Sequence, residues 1–335
     1  MKRNLSRKNS AGRKVCFLLI LCVGLGLSSL ISPSLLTAAG SPYPAKNTKS
    51  VLQLVTAPAS STLEDFVKVN IDKLAAEAPF KSWKNAQSKY YPLGPGTHSW
   101  LVNVMNGDQR IGYMIITATT EGGYVLSEYG AGNEGLPYSL SELRQLLVQE
   151  GLIPSTYSGK LALKPLYLPL LPLWEVTLSG KKFYINAAVP EILPWSYTKV
   201  ETLSIKASTV ANLYSFSKNT RIPQPIFLSH QSSDPYENIL WIKNPKLPIF
   251  GEDEFSTLLQ QKGSLVFQSA GHNDSVGGPL MITGYQIWRT VDDPSESVQK
   301  NNNLLYAAIG PEGKRFVPLP LLQKYGTLHE DSAEQ

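Results

Sequence analysis

Apolar and polar positions change period several times along this chain, and each change predicts an element. Leu63, Phe66, Val67, Ile71, Leu74, Ala75 and Ala78 recur at helical spacing and give one apolar face. Ser61-Thr62-Leu63-Glu64 fits a capping box at the start of that helix, and Pro79 ends it. Residues 100–105 then alternate as a strand. Asn106-Gly107 supplies a hairpin turn because both residues tolerate positive φ, and residues 111–118 form the returning strand. Glu121-Gly122-Gly123 turns the chain into a strand over 124–129. A second helix begins at Ser139 with Glu142 three residues on. Leu140, Leu143, Leu146, Leu147 and Val148 form its apolar side, and Gly151 stops it. Residues 174–178, the Ser179-Gly180 turn and residues 183–187 read as a further hairpin.

Beyond residue 195 the pattern weakens. Pro223, Pro225, Pro235, Pro245 and Pro248 interrupt residues 196–250, where 238–243 is the one strand suggested. It clears again at residues 252–262, a short helix with Phe255, Leu258 and Leu259 inward and Gly263 closing it. Strands follow over 264–269, 280–288 and 303–309, then a last helical turn over 319–325. The periodicity predicts an α+β chain with a helix-plus-antiparallel-hairpin domain over 61–195 and a second domain over 196–326. Residues 327–335 read as a polar tail.

The N-terminus changes how the charge is read. Lys2, Arg3, Arg7, Lys8, Arg13 and Lys14 precede an almost wholly apolar run, and small residues follow up to Gly40. That is the order of a secretory signal peptide over 1–40, with a leader or linker over 41–60. The whole chain has 31 basic and 26 acidic residues; without those six bases, 25 face 26 and the net charge is −1. Nucleic acid loses its compositional support as a partner. The chain is expected outside the cell or at its surface, meeting the membrane only through an uncleaved signal segment. Cys16 and Cys22, the chain's 2 cysteines, both lie in that segment. The exported chain would have no thiol for a disulfide, a metal site or a nucleophile.

Two hairpins carry a resemblance. Gly112-Tyr113-Met114-Ile115-Ile116-Thr117-Ala118 followed by Tyr124-Val125-Leu126-Ser127-Glu128-Tyr129, and Trp174-Glu175-Val176-Thr177-Leu178 followed by Gly180-Lys181-Lys182-Phe183-Tyr184-Ile185-Asn186-Ala187, resemble hairpins in pro-regions of secreted bacterial papain-like peptidases. Further on, Gly277-Gly278-Pro279-Leu280-Met281-Ile282-Thr283-Gly284-Tyr285, then Leu304-Leu305-Tyr306-Ala307-Ala308-Ile309-Gly310-Pro311, resemble the second half of papain-like cysteine peptidases of the bacteriocin-leader-processing type. The resemblance implies a degenerate papain-like domain with a curled antiparallel sheet over 196–326. It also implies that catalysis is lost. Pro279 stands where the family has its histidine, Gly310 where the orienting Asn or Asp belongs, and no cysteine is left as nucleophile.

His98, His230, His272 and His329 are isolated in sequence, so no metal site and no cofactor is expected. The polar loop His272-Asn273-Asp274-Ser275, with Tyr285 and Trp288 on the strand after it, holds the candidate binding residues. The alternatives are a secreted serine hydrolase built near His272-Ser275, with Ser275 or Ser269 as nucleophile and His230 as a further candidate partner, and an envelope-associated structural or binding protein. The function expected is a catalytically inactive peptidase-like protein that binds a peptide or a partner peptidase outside the cell.

Overall fold

The computed structural model describes residues 52–94, 98–207, 210–214, 221–229, 234–248, 251–270, 278–290 and 303–331. The first apolar face forms helix α1 (Ser61–Leu74). Its cap is Ser60 rather than Ser61: the Ser60 hydroxyl accepts from the Leu63 amide at 3.3 Å. Helix α1 ends at Leu74, ahead of the end expected at Pro79, and the chain turns through residues 75–79 before the next element. A short 3-10 turn, Phe80–Trp83, follows and buries both of its aromatic rings.

Strands β1 (Gln87–Leu93), β2 (Ser99–Asn106), β3 (Gln109–Ala118) and β4 (Tyr124–Ala131) then run as an antiparallel meander. The expected Asn106-Gly107 turn joins β2 to β3, with Gly107 at φ 59°. Helix α2 (Leu140–Gln149) is capped by Ser139, whose hydroxyl accepts from the Glu142 amide. Strands β5 (Ala162–Leu168), β6 (Leu171–Leu178), β7 (Lys181–Asn186) and β8 (Glu191–Leu193) make a separate 4-stranded sheet. Next come helix α3 (Tyr197–Ala207), short strands β9 (Arg221–Pro223), β10 (Phe227–Leu228) and β11 (Lys246–Leu247), and helix α4 (Glu252–Lys262). Strands β12 (Leu265–Ser269), β13 (Leu280–Thr290), β14 (Leu304–Ile309) and β15 (Arg315–Pro318), helix α5 (Leu319–Tyr325) and strand β16 (Gly326–Glu330) complete the order.

The expected fold class is corrected here. The chain is mostly antiparallel sheet, and the C-terminal strands do not form the curled sheet of a degenerate papain-like domain. The reason is the pairing of β15. It joins β14 on one side and β4 on the other, through Arg315↔Gly130 and Phe316↔Tyr129. The meander and the C-terminal strands therefore share one 12-stranded sheet, ordered β1-β2-β3-β4-β15-β14-β13-β12-β16-β11, with β9 and β10 against β13. The polar tail expected over 327–335 begins instead inside β16, Gly326–Glu330, a strand between β12 and β11. The strand suggested at 238–243 is instead a 3-10 turn, Ile239–Lys243, capped by the Asn238 side chain.

Both faces of the meander are covered. On one face Val102, Val104, Met114 and Ile116 belong to a core shared with α1 and the C-terminal strands. On the other, Leu101, Tyr113 and Ile115 meet α2 through Leu143 and Leu147, and the small sheet through Trp174 and Ile185. Strands buried on both sides read as continuous apolar runs, which is how residues 111–118 and 304–309 appear in the sequence. No helix among the described residues is long and apolar enough to cross a membrane.

Candidate functional site

Strand β4 carries one extra residue against β3: Ile115 faces Glu128, and Ile116 faces Leu126. Such a bulge re-aims side chains. Leu126 turns into the core shared with α1, while Glu128 turns to the opposite face. There Glu128 is fully buried and accepts four hydrogen bonds. Arg315 donates from Nε to Oε1 at 2.7 Å and from Nη2 to Oε2 at 3.0 Å. The Tyr113 hydroxyl donates to Oε1 at 2.6 Å, and the Tyr167 hydroxyl to Oε2 at 3.3 Å. Arg315 Nη2 also donates to the Leu170 carbonyl at 2.8 Å. This cluster ties β3, β4 and β15 to the small sheet.

The electrostatics of the cluster follow from burial. Burial, then the Glu128 charge, pushes the Tyr113 and Tyr167 phenols well above their ordinary value. Burial pulls the Arg315 guanidinium down, but the Glu128 charge and its hydrogen bonds outweigh it and hold Arg315 above its ordinary value. With every member paired, the cluster acts as a structural clamp.

Beside the clamp lies a cleft of about 430 Å³. Its floor is apolar: Pro79, Ile111, Ala131, Ile226, Leu228 and Phe316. Its polar groups are Ser82, Gln109, Asn133 and the Glu312–Lys314 ion pair. One wall is the turn between β14 and β15. Gly310 opens that turn at φ 93°, donating its amide to the Met281 carbonyl at 2.9 Å. Its carbonyl accepts from the Gly313 amide at 3.0 Å and from the Thr283 hydroxyl at 2.8 Å. The other wall is β10, held to β13 through Phe227↔Tyr285 and Leu228↔Gly284. A Cβ on Gly284 would stand 2.3 Å from the Phe227 carbonyl oxygen, so only glycine lets β10 approach this closely. Among the described strands, β10 pairs with β13 alone.

The residues singled out in the sequence are distributed unevenly around this cleft. His272, Asn273, Asp274 and Ser275 lie outside the described residues, as do His230 and the signal segment. Pro279 and Gly310 do come together, at the same end of neighbouring strands β13 and β14. Gly310 heads a wall of the cleft. Tyr285 is an interior residue, stacked on Phe227 with ring centroids 5.1 Å apart and accepting a hydrogen bond from Gln260 at 2.5 Å. Trp288 is also interior: its indole donates to the Tyr129 hydroxyl at 3.0 Å, and Tyr129 donates to Gln286 at 2.6 Å. Tyr285 thus backs the β10 wall through Phe227, whereas Trp288 packs against Tyr129 and Tyr306. Ser269 is buried in β12 opposite Gly326.

None of the clamp residues stands out in the sequence as a candidate site residue, and around the cleft only Gly310 does. A signal for the clamp exists: Glu128 stands within the apolar stretch 124–131, and Arg315 beside Phe316-Val317. A charge inside an apolar strand demands an opposite partner. The cleft carries no such signal, because its floor comes from five separate segments. Among the described residues, no three His, Cys, Asp or Glu side chains are placed to hold one metal ion. The chain matches no protein-family model and no curated protein sequence.

Proposed function

We propose that this is an exported, non-catalytic protein that binds an extended peptide segment in the cleft between the Gly310–Lys314 turn and β10. The observation that carries the reading is the lining itself. It offers apolar surface at a size suited to a few side chains, with Gln109 and Asn133 as hydrogen-bonding groups at its rim. Its one charge pair, Glu312 with Lys314, is satisfied internally. Strand β10 adds an extended backbone with a partner on one side, which suits a ligand in strand conformation. The likeness of residues 277–285 and 304–311 to leader-processing peptidases supports a peptide as the ligand class, and Pro279 and Gly310 support binding without cleavage.

Selection from a displayed library of random peptides tests the reading. The protein is expected to enrich peptides with closely spaced apolar residues, and Leu228→Asp to abolish the enrichment while leaving the folded state intact. Enrichment that is the same on both proteins places the ligand elsewhere and rejects the cleft.

A further inference from the structure

Large apolar side chains left in water are concentrated on one short element, the 3-10 turn Ile239–Lys243 and the residues just before it. Tyr236, Ile239, Leu240 and Ile242 are 53%, 60%, 55% and 54% exposed. Elsewhere among the described residues the exposed large apolar side chains are scattered. Scattered ones are ordinary, but a cluster marks a contact surface.

The cluster is held in place from beneath. Trp241, in the middle of it, is buried with Val266 and Met281. Its indole donates to the Pro235 carbonyl at 2.8 Å, and its ring stands edge-on to the His329 imidazole, 5.3 Å between centroids. The Asn238 side chain accepts from the Leu240 amide, and the Asn244 side chain donates to the Glu330 carbonyl at 2.8 Å. With Trp241 turned into the sheet, its neighbours Leu240 and Ile242 are left pointing away from it.

Basic groups follow the turn. Lys243 closes it and Lys246 stands on β11, both exposed. Lys246 lies opposite His329, and His329 opposite Val266, so all three share the sheet face that Trp241 packs on. Lys246 and Lys324 line a cavity of about 390 Å³ with Gln268, Ser269 and Thr327, and none of its described lining residues is acidic. The acids of the segment, Asp234 and Glu237, come before the turn, and Asp234 accepts from the Tyr236 amide at 2.8 Å.

We propose that this turn docks the protein on the surface of an anionic lipid bilayer. Ile239, Leu240 and Ile242 enter the boundary between headgroups and acyl chains, while Lys243, Lys246 and Lys324 meet lipid phosphates. A bilayer suits the surface better than a protein partner does. A stable protein interface takes about 800 Å² from each side, well beyond what four half-exposed side chains on one turn supply. A bilayer needs no matching shape: it takes up any protruding apolar group and attracts the lysines beside it. The surface shares no residue with the cleft, so it does not depend on peptide binding.

Hydrogen exchange of the full chain, with and without lipid vesicles, tests this, because it reads the turn itself whatever the N-terminal segment does. The vesicles are phosphatidylcholine alone, or the same lipid with about one third phosphatidylglycerol to supply negative charge. Amides over 239–243 are expected to slow at least about ten-fold on the anionic vesicles and less on the neutral ones. Replacing Leu240→Asp and Ile242→Asp together, both at exposed positions, is expected to remove the slowing. Unchanged exchange over 239–243 on anionic vesicles overturns the proposal, even where the protein binds them through another segment. Equal slowing in the double variant overturns it too, as does equal slowing on the two kinds of vesicle, since the lysines would then contribute nothing.

Discussion

Arg315 meets Glu128 in a two-pronged ion pair, 187 residues apart along the chain and buried at the point where β15 joins β4. The pair fastens the C-terminal strands to the N-terminal meander, and Tyr167 and the Leu170 carbonyl extend it to the small sheet. Removing one partner strands a buried charge. Arg315→Met is expected to lower the unfolding free energy by about 3–5 kcal/mol, and Glu128→Gln by a smaller amount because it keeps part of the hydrogen bonding. The double variant should lose less than the two single losses added. Urea denaturation of the four proteins checks this; additive losses would mean that the two side chains act independently.

Alkaline pH should attack the same region. Burial holds Tyr113, Tyr129, Tyr138 and Tyr167 well above the ordinary phenol value. Above about pH 10 the unfolded chain loses these protons and the folded chain keeps them. The unfolded state then binds fewer protons, so stability falls as pH rises, by up to about 1.4 kcal/mol per pH unit for each tyrosine. Absorbance at the phenolate band is expected to show a group of tyrosines ionising only with unfolding. Smooth ionisation of all 16 tyrosines near the ordinary value would contradict their burial.

Much of this architecture is legible from local pattern. The Ser139 cap, the Asn106-Gly107 turn, helix α4 and the apolar cores of β12, β13 and β14 all follow from residues a few positions apart. What pairs with what is not local. Nothing near Phe316 in the sequence indicates that it lies beside Tyr129, and that single pairing turns two expected domains' strands into one sheet. Strand β16 hides for a related reason: Thr327, His329 and Glu330 look solvated, yet His329 is buried, held between the Asn244 carbonyl and Gln268. Tyr285 and Trp288 show the reverse, since aromatic residues suited to a ligand surface are used inside. The cleft is assembled wholly by such long-range pairings.

Gly284 links the sheet to the cleft. Gly284→Ala puts a methyl group against the Phe227 carbonyl and should lift β10 from β13. A cost of about 1–3 kcal/mol is expected, in line with overpacking. Hydrogen exchange should accelerate at the amides of Gln224 and Ser229, which bond to Ile287 and Thr283. Unchanged protection there would show that β10 does not need this close approach.

The most direct test of the central claim is fluorescence anisotropy with a labelled peptide drawn from library selection, followed by its mass after prolonged incubation. Saturable binding is predicted, with the peptide recovered intact and affinity lowered at least about ten-fold by Leu228→Asp, as loss of a buried apolar contact and burial of a charge require. Cleavage of the peptide, or equal affinity for the Leu228→Asp protein, would contradict it.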